Sequence, residues 1–141
     1  MSVYSESAQR IQQQLQSQPN WQEKYRVLLQ AGKEAQPLAA EYRTDDYKVT
    51  GCEANVWLLA EGSATNLQLH FFSDARLVHA LVHVALLPMQ QQSADFIARF
   101  DTTRWLQQCA LDDHLSPSRS NGLQQVIKRA KQLALAQATS D

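Results

Sequence analysis

The stretch NVWLLAEGSATNLQLHFFSDARLVHALVHVALLP, Asn55 to Pro88, decides the fold because its hydrophobic period changes along its length. Asn55 to Ala60 is a short apolar run containing Val56 and Trp57. Leu67 to Phe72 alternates, with Leu67, Leu69 and Phe71 set against Gln68, His70 and Phe72. Between them, Glu61-Gly-Ser-Ala-Thr-Asn66 reads as a hairpin loop, so two antiparallel strands are expected. Val49 reads as part of a further short strand, giving a small sheet of about three strands. From Ser73, read as a helix cap, the period becomes helical and continues to about Pro88. Leu77, Leu81, Val84 and Ala85 mark one face, and Val78, Val82 and Leu86 widen it. A helix apolar around most of its circumference packs on more than one side, which makes this the central helix.

Both flanks of this stretch read as helical. Ser5 to Gln18 is a weakly helical, Gln-rich N-terminal segment with Ile11 and Leu15 four apart, ended by Pro19. Asn20 with Glu23 forms the sequence pattern of a capping box. Behind it, Trp21, Tyr25, Leu28 and Leu29 follow the helical spacing, and Gly32 reads as the helix stop. Ala39 to Thr50 is polar and irregular, with room for one helical turn. Beyond the central helix, Ser93 to Arg99 and Thr102 to Leu111 are short helices. Ser116-Pro117 opens the last helix, whose core stripe is Leu123, Val126, Ile127, Ala130 and Leu133. Gly122 in its first turn weakens it unless another group approaches closely. The order of helix, small sheet and several helices predicts an α+β domain spanning residues 1–141.

The 141 residues suffice for a core without disulfides. With 13 basic and 14 acidic residues and a formal net charge of -1, the chain has no basic excess to neutralise phosphates. Nucleic acid is therefore not an expected partner. The polar N-terminus has no apolar core of a secretory signal, and the longest apolar stretch, Leu77 to Met89, is broken by His79 and His83. No membrane association is expected, and the expected location is cytoplasmic.

Few residues can carry chemistry. Cys52 lies in Thr50-Gly-Cys-Glu-Ala-Asn55, between a polar segment and a strand. Gly51 allows backbone shapes that a Cβ resists, so the loop can present a thiol; the competing reading is a small buried hydrophobe. Glu53 beside it raises a thiol pKa rather than lowering it, so activation needs a cation such as Lys48 or Arg119. Cys109, on a helix with Leu106 on the same face, reads as buried. His79 and His83 have the i, i+4 spacing of two-histidine metal sites, but a third ligand would have to come from His70, Asp74 or His114. No metal is expected. A Cys–His hydrolase lacks any local oxyanion-hole or nucleophile-elbow motif, and the four scattered glycines form no phosphate loop. Arg119, in Asp113-His-Leu-Ser-Pro-Ser-Arg-Ser-Asn-Gly-Leu123, reads either as an exposed residue of a capped helix or as a cation near the thiol loop that supports a thiolate or docks an acidic surface.

Four of these segments, in order from Trp21 to Leu133, resemble the SufE/CsdE family of sulfur acceptors. They are Trp21-Gln-Glu-Lys-Tyr25, Gly51-Cys-Glu-Ala-Asn-Val-Trp57, Ser73-Asp-Ala-Arg-Leu-Val78 and His114-Leu-Ser-Pro-Ser-Arg-Ser-Asn-Gly-Leu123. The chain departs from the family pattern before Ser73-Asp74, where many members carry Gly-Asp and this chain has either Phe71-Phe72 in those places or a turn two residues shorter, and in the early end of the central helix at Leu87-Pro88-Met89. Glu53 and the strand Leu69 to Phe72 look closer to the CsdE branch.

The resemblance implies a fold related to the IscU scaffold and a PLP-dependent cysteine desulfurase as partner. It also implies a downstream sulfur acceptor or iron–sulfur scaffold, with no cofactor on this chain. Cys52 matches the family's persulfide-accepting cysteine, with Gly51 and Glu53 in its loop and Arg119 and Asp74 as supporting or docking residues. The family is not catalytic in its own right: the cysteine takes sulfur covalently and stimulates the desulfurase. Two alternatives are a purely conformational adaptor of a desulfurase and an iron–sulfur scaffold on the related fold.

Overall fold

The computed structural model describes residues 4–140; the ends of the expected 1–141 domain lie outside the described residues. Two strands, β1 (Val56–Ser63) and β2 (Asn66–Ser73), pair antiparallel from Val56–Ser73 to Ser63–Asn66. The alternation read in the sequence is the burial pattern: Leu67, Leu69, Phe71 and Ser73 face inward and the residues between them do not. The third strand reduces to one bridge, Lys48 to Trp57, with the Val49 amide donating to the Val56 carbonyl at 2.8 Å. The sheet proper is two-stranded.

The other edge of β2 is closed by irregular chain. Leu67 exchanges backbone bonds with Gln91 and Gln92, and the Gln90 side-chain amide bonds both the Leu69 N–H (2.7 Å) and carbonyl (2.8 Å). The Leu38 amide then donates to the Phe71 carbonyl. An edge satisfied in this way offers no template for another strand.

Helices α1 (Glu6–Gln16) and α2 (Trp21–Glu34) precede the sheet. The Asn20 side chain accepts from the Glu23 amide at 3.0 Å, which is the expected N-cap. Two details of α2 differ from the sequence reading. Tyr25 is 38% exposed, and the buried residues are Leu28, Ala31 and Gly32. Gly32 does not stop the helix but lies inside it, where a Cβ would sit 2.9 Å from the Ala80 Cβ. The glycine lets α2 approach the central helix at a distance no side chain permits.

That central helix is α3 (Arg76–Leu86), followed by a 3₁₀ turn over Leu87–Met89. Six of its residues, including Leu81, Val82 and Leu86, are buried. It packs against α2, β2 and α6 (Pro117–Ser140). Ser73 is not its cap: Ala75 occupies that position without a side-chain bond, and Ser73 turns back towards the strand ends. Two short helices follow, α4 (Ala94–Arg99) and α5 (Thr102–Gln108), capped by Ser93 and Asp101. Trp105 of α5 is fully buried, and its indole N–H donates to the Val84 carbonyl at 2.9 Å. The long α6 packs on α4, β1 and α3, with Leu123, Val126, Ile127, Ala130 and Ala134 buried. Its first turn therefore faces the loop that leads into β1. No helix among the described residues is long and apolar enough to cross a membrane.

Candidate functional site

The loop between the Lys48 bridge and β1 carries Cys52. No backbone hydrogen bond joins its amides, Thr50 to Asn55, to other parts of the described chain. Its shape depends on Gly51, whose φ of +88° lies in the region that L side chains resist; a Cβ there would also press on Gln125 of α6 at 3.1 Å. The turn places Cys52 half-buried over the start of α6, where its thiol donates to the Gly122 carbonyl at 3.3 Å. Gly122, singled out in the sequence for its cost to the helix, is thus where the thiol packs. A carbonyl in the first turns of a helix is engaged by the helix itself, so no sequence signal marks it as the acceptor.

Beside the thiol is a small cavity of about 200 Å³, walled by Val78 and Val82 of α3 and by Arg119, Leu123 and Val126 of α6. Burial pushes the Cys52 thiol above its ordinary pKa. That direction follows from charge desolvation, since a thiolate loses more hydration than a thiol. The resting group is therefore a protonated thiol bonded to a carbonyl. Glu53 is exposed on the loop. Arg119 lines the cavity and is exposed, and its charge does not offset the effect of burial on the thiol. Lys48 is exposed and does not line the cavity.

The far end of the loop is tied to the start of α3. The Ser73 hydroxyl donates to the Asn55 carbonyl at 2.8 Å and accepts from the Ala75 amide at 3.2 Å. The Asn55 side-chain amide donates to the Asp74 carboxylate at 2.8 Å. Asp74 thus holds the loop end. Ser73 and Asn55 did not stand out in the sequence: one resembles a helix cap, the other any polar residue before a strand.

The remaining candidates are placed elsewhere. Cys109 ends α5, fully buried, and burial pushes its thiol up to about 12. It does not line the cavity beside Cys52. His79 and His83 pack against Phe71 with ring centroids 5.0 and 6.3 Å away, and burial lowers both pKa values. Their suggested co-ligands are dispersed. His70 faces Glu61, His114 stacks on Trp21 and Asp74 bonds Asn55. Among the described residues no group of three or more His, Cys, Asp or Glu side chains is arranged to hold a metal.

Comparison with known proteins bears on this geometry. A family model described as SufE, Fe-S metabolism associated domain, matches residues 9–134. Among solved structures, a similar chain is a hypothetical protein from Thermus thermophilus, determined in solution. The two superpose with a TM-score of 0.76 at 16% identity, covering 95% of this chain and 96% of that one. At that identity the likeness is one of fold.

Proposed function

Since this chain belongs to the SufE family, whose members are sulfur acceptors and not catalysts in their own right, we propose that it receives a persulfide sulfur on Cys52. The donor is a PLP-dependent cysteine desulfurase, and the sulfur passes on to a downstream acceptor or iron–sulfur scaffold in the cytoplasm. The observation that carries this reading is the thiol itself. Cys52 sits on a loop whose amides make no backbone bonds to the rest of the described chain, over a small, largely apolar cavity that Arg119 also lines.

The chemistry follows that of thiol–disulfide exchange. The Cys52 thiol loses its proton to water or a base on docking, and the thiolate attacks the outer sulfur of the partner's cysteine persulfide. A new sulfur–sulfur bond forms on Cys52 as the partner's own sulfur–sulfur bond breaks, and the partner's cysteine leaves as a thiolate. No electrons are gained or lost overall. A half-buried, protonated thiol does not attack, so the loop leaves the Gly122 carbonyl before transfer. Arg119, already at the cavity, offers positive charge to the thiolate or to an acidic docking surface. Gly51 permits the turn, Glu53 faces the partner, and Asp74 holds the loop end until docking.

Replacing Cys52 by serine tests the reading. The variant keeps the shape of the loop but cannot hold a sulfane sulfur. It should fold normally and fail to raise desulfurase turnover. Full stimulation by Cys52→Ser would favour the purely conformational adaptor.

A further inference from the structure

The connection between β2 and α3 contains a hydrogen bond that neither capping nor sheet pairing requires. The Ser73 amide donates to Nδ1 of His79, 3.2 Å away. That geometry fixes the tautomer, since Nδ1 must be unprotonated to accept and the ring proton resides on Nε2. The same Ser73 holds the Asn55 carbonyl through its hydroxyl at 2.8 Å. A continuous chain of bonds thus runs from an imidazole on α3, through one buried serine, to the last residue of the thiol loop.

We propose that His79 is a positioning residue for sulfur transfer: its neutral imidazole fixes Ser73, Ser73 fixes Asn55, and protonation of the ring releases the end of the thiol loop. The proposal rests on the reading of Cys52 as the sulfur acceptor, and it adds a control on when that thiol is sheltered. A protonated ring would point an N–H at the Ser73 N–H, turning an attraction into a clash of donors.

The surroundings reinforce this. Around the ring lie Arg43 from the segment before the loop, Lys33 of α2, and Arg76 and His83 of α3. Glu34 of α2 acts on His83. Asp74 is the nearby acid in the linker, and it is engaged by Asn55. β2 contributes the rings of Phe71 and Phe72. Burial first, and Arg43 second, lower the His79 pKa. The folded state therefore prefers the neutral ring. Its contribution is complete above the ordinary histidine value and is lost as pH falls from there through the lowered one.

Hydrogen exchange, corrected for the intrinsic pH dependence of amide exchange, tests the proposal. In the wild type, protection at the Ser73 and Ala75 amides, the two held by the His79–Ser73 network, should fall by roughly three- to tenfold between about pH 7.5 and about pH 5, the range expected for one lost hydrogen bond. His79→Asn keeps an acceptor oxygen near Nδ1 but does not titrate, so its protection should stay high and flat. His79→Leu should be weakly protected at both pH values. His83→Gln should behave as the wild type. Wild-type protection that does not change with pH, or the same fall retained in His79→Asn, would overturn the proposal. The readout needs no desulfurase. If Cys52 proved not to accept sulfur, the acceptor reading would fail while the latch was still measured.

Discussion

Cys52 and Cys109 are chemically identical in the unfolded chain and are separated by their surroundings. Cys109 is fully buried, and its thiol is held up to about 12 by burial. An unfolded cysteine ionises at about pH 8.5. Between those values the native state keeps a proton that the unfolded state has lost, so stability falls as pH rises through the interval. Cys109→Ser should lack this alkaline loss. It should also be less stable at neutral pH by about 1 kcal/mol or more, because a hydroxyl is buried without an assured partner. Denaturant titrations at two pH values check both parts, and sulfur transfer by the folded variant should be normal. Arg119 is the converse case. It is exposed and makes no ion pair among the described residues, so Arg119→Ala should leave the thermal midpoint nearly unchanged and weaken desulfurase stimulation. A large drop in midpoint with normal transfer would mark it as structural.

Gly32 and Gly122 should respond oppositely to an added methyl group. Gly32 lies where α2 crosses α3, and a methyl there would stand 2.9 Å from the Ala80 Cβ and 3.0 Å from its Cα. Alanine is intrinsically the better helix residue by about 1 kcal/mol. Forcing the helices apart costs typically about 1–3 kcal/mol. Gly32→Ala should therefore lower stability on balance. A methyl at Gly122 would meet atoms of Cys52 at 3.9 Å, which is ordinary contact. Gly122→Ala should therefore be neutral or stabilising in the same denaturation assay.

The sequence separates these cases poorly because a glycine near a helix end reads the same whether it caps, bends or admits a neighbour. The β2 alternation and the α3 face are legible because their periods of two and 3.6 leave a direct mark on the order of residues, whereas the loop expected over Glu61 to Asn66 is mostly strand, since β1 reaches Ser63 and only Ala64 and Thr65 turn the chain. Gly51 was legible too, as its positive φ is a backbone demand made locally. Ser73 reads as a cap because the sequence does not mark its partners, Asn55 before the hairpin and His79 a turn into α3.

For the whole molecule, the architecture explains why one thiol is available and one is not. The hairpin packs on α3 and α6 and leaves the loop before β1 lying across the first turns of α6, whereas Cys109, at the end of α5, is fully buried. The family motifs in the sequence pointed to Cys52. What they could not supply was the resting state, a protonated thiol bonded to a helix carbonyl and tethered through Asn55. That state depends on residues 70 positions apart meeting in space. Whether sulfur is loaded on Cys52 is decided by intact-mass analysis after incubation with a cysteine desulfurase and free cysteine. A gain of one sulfur atom is expected, reversed by a reducing thiol, with peptide mapping placing it on Cys52. Sulfur found on Cys109, or no gain while the desulfurase is still stimulated, would contradict it.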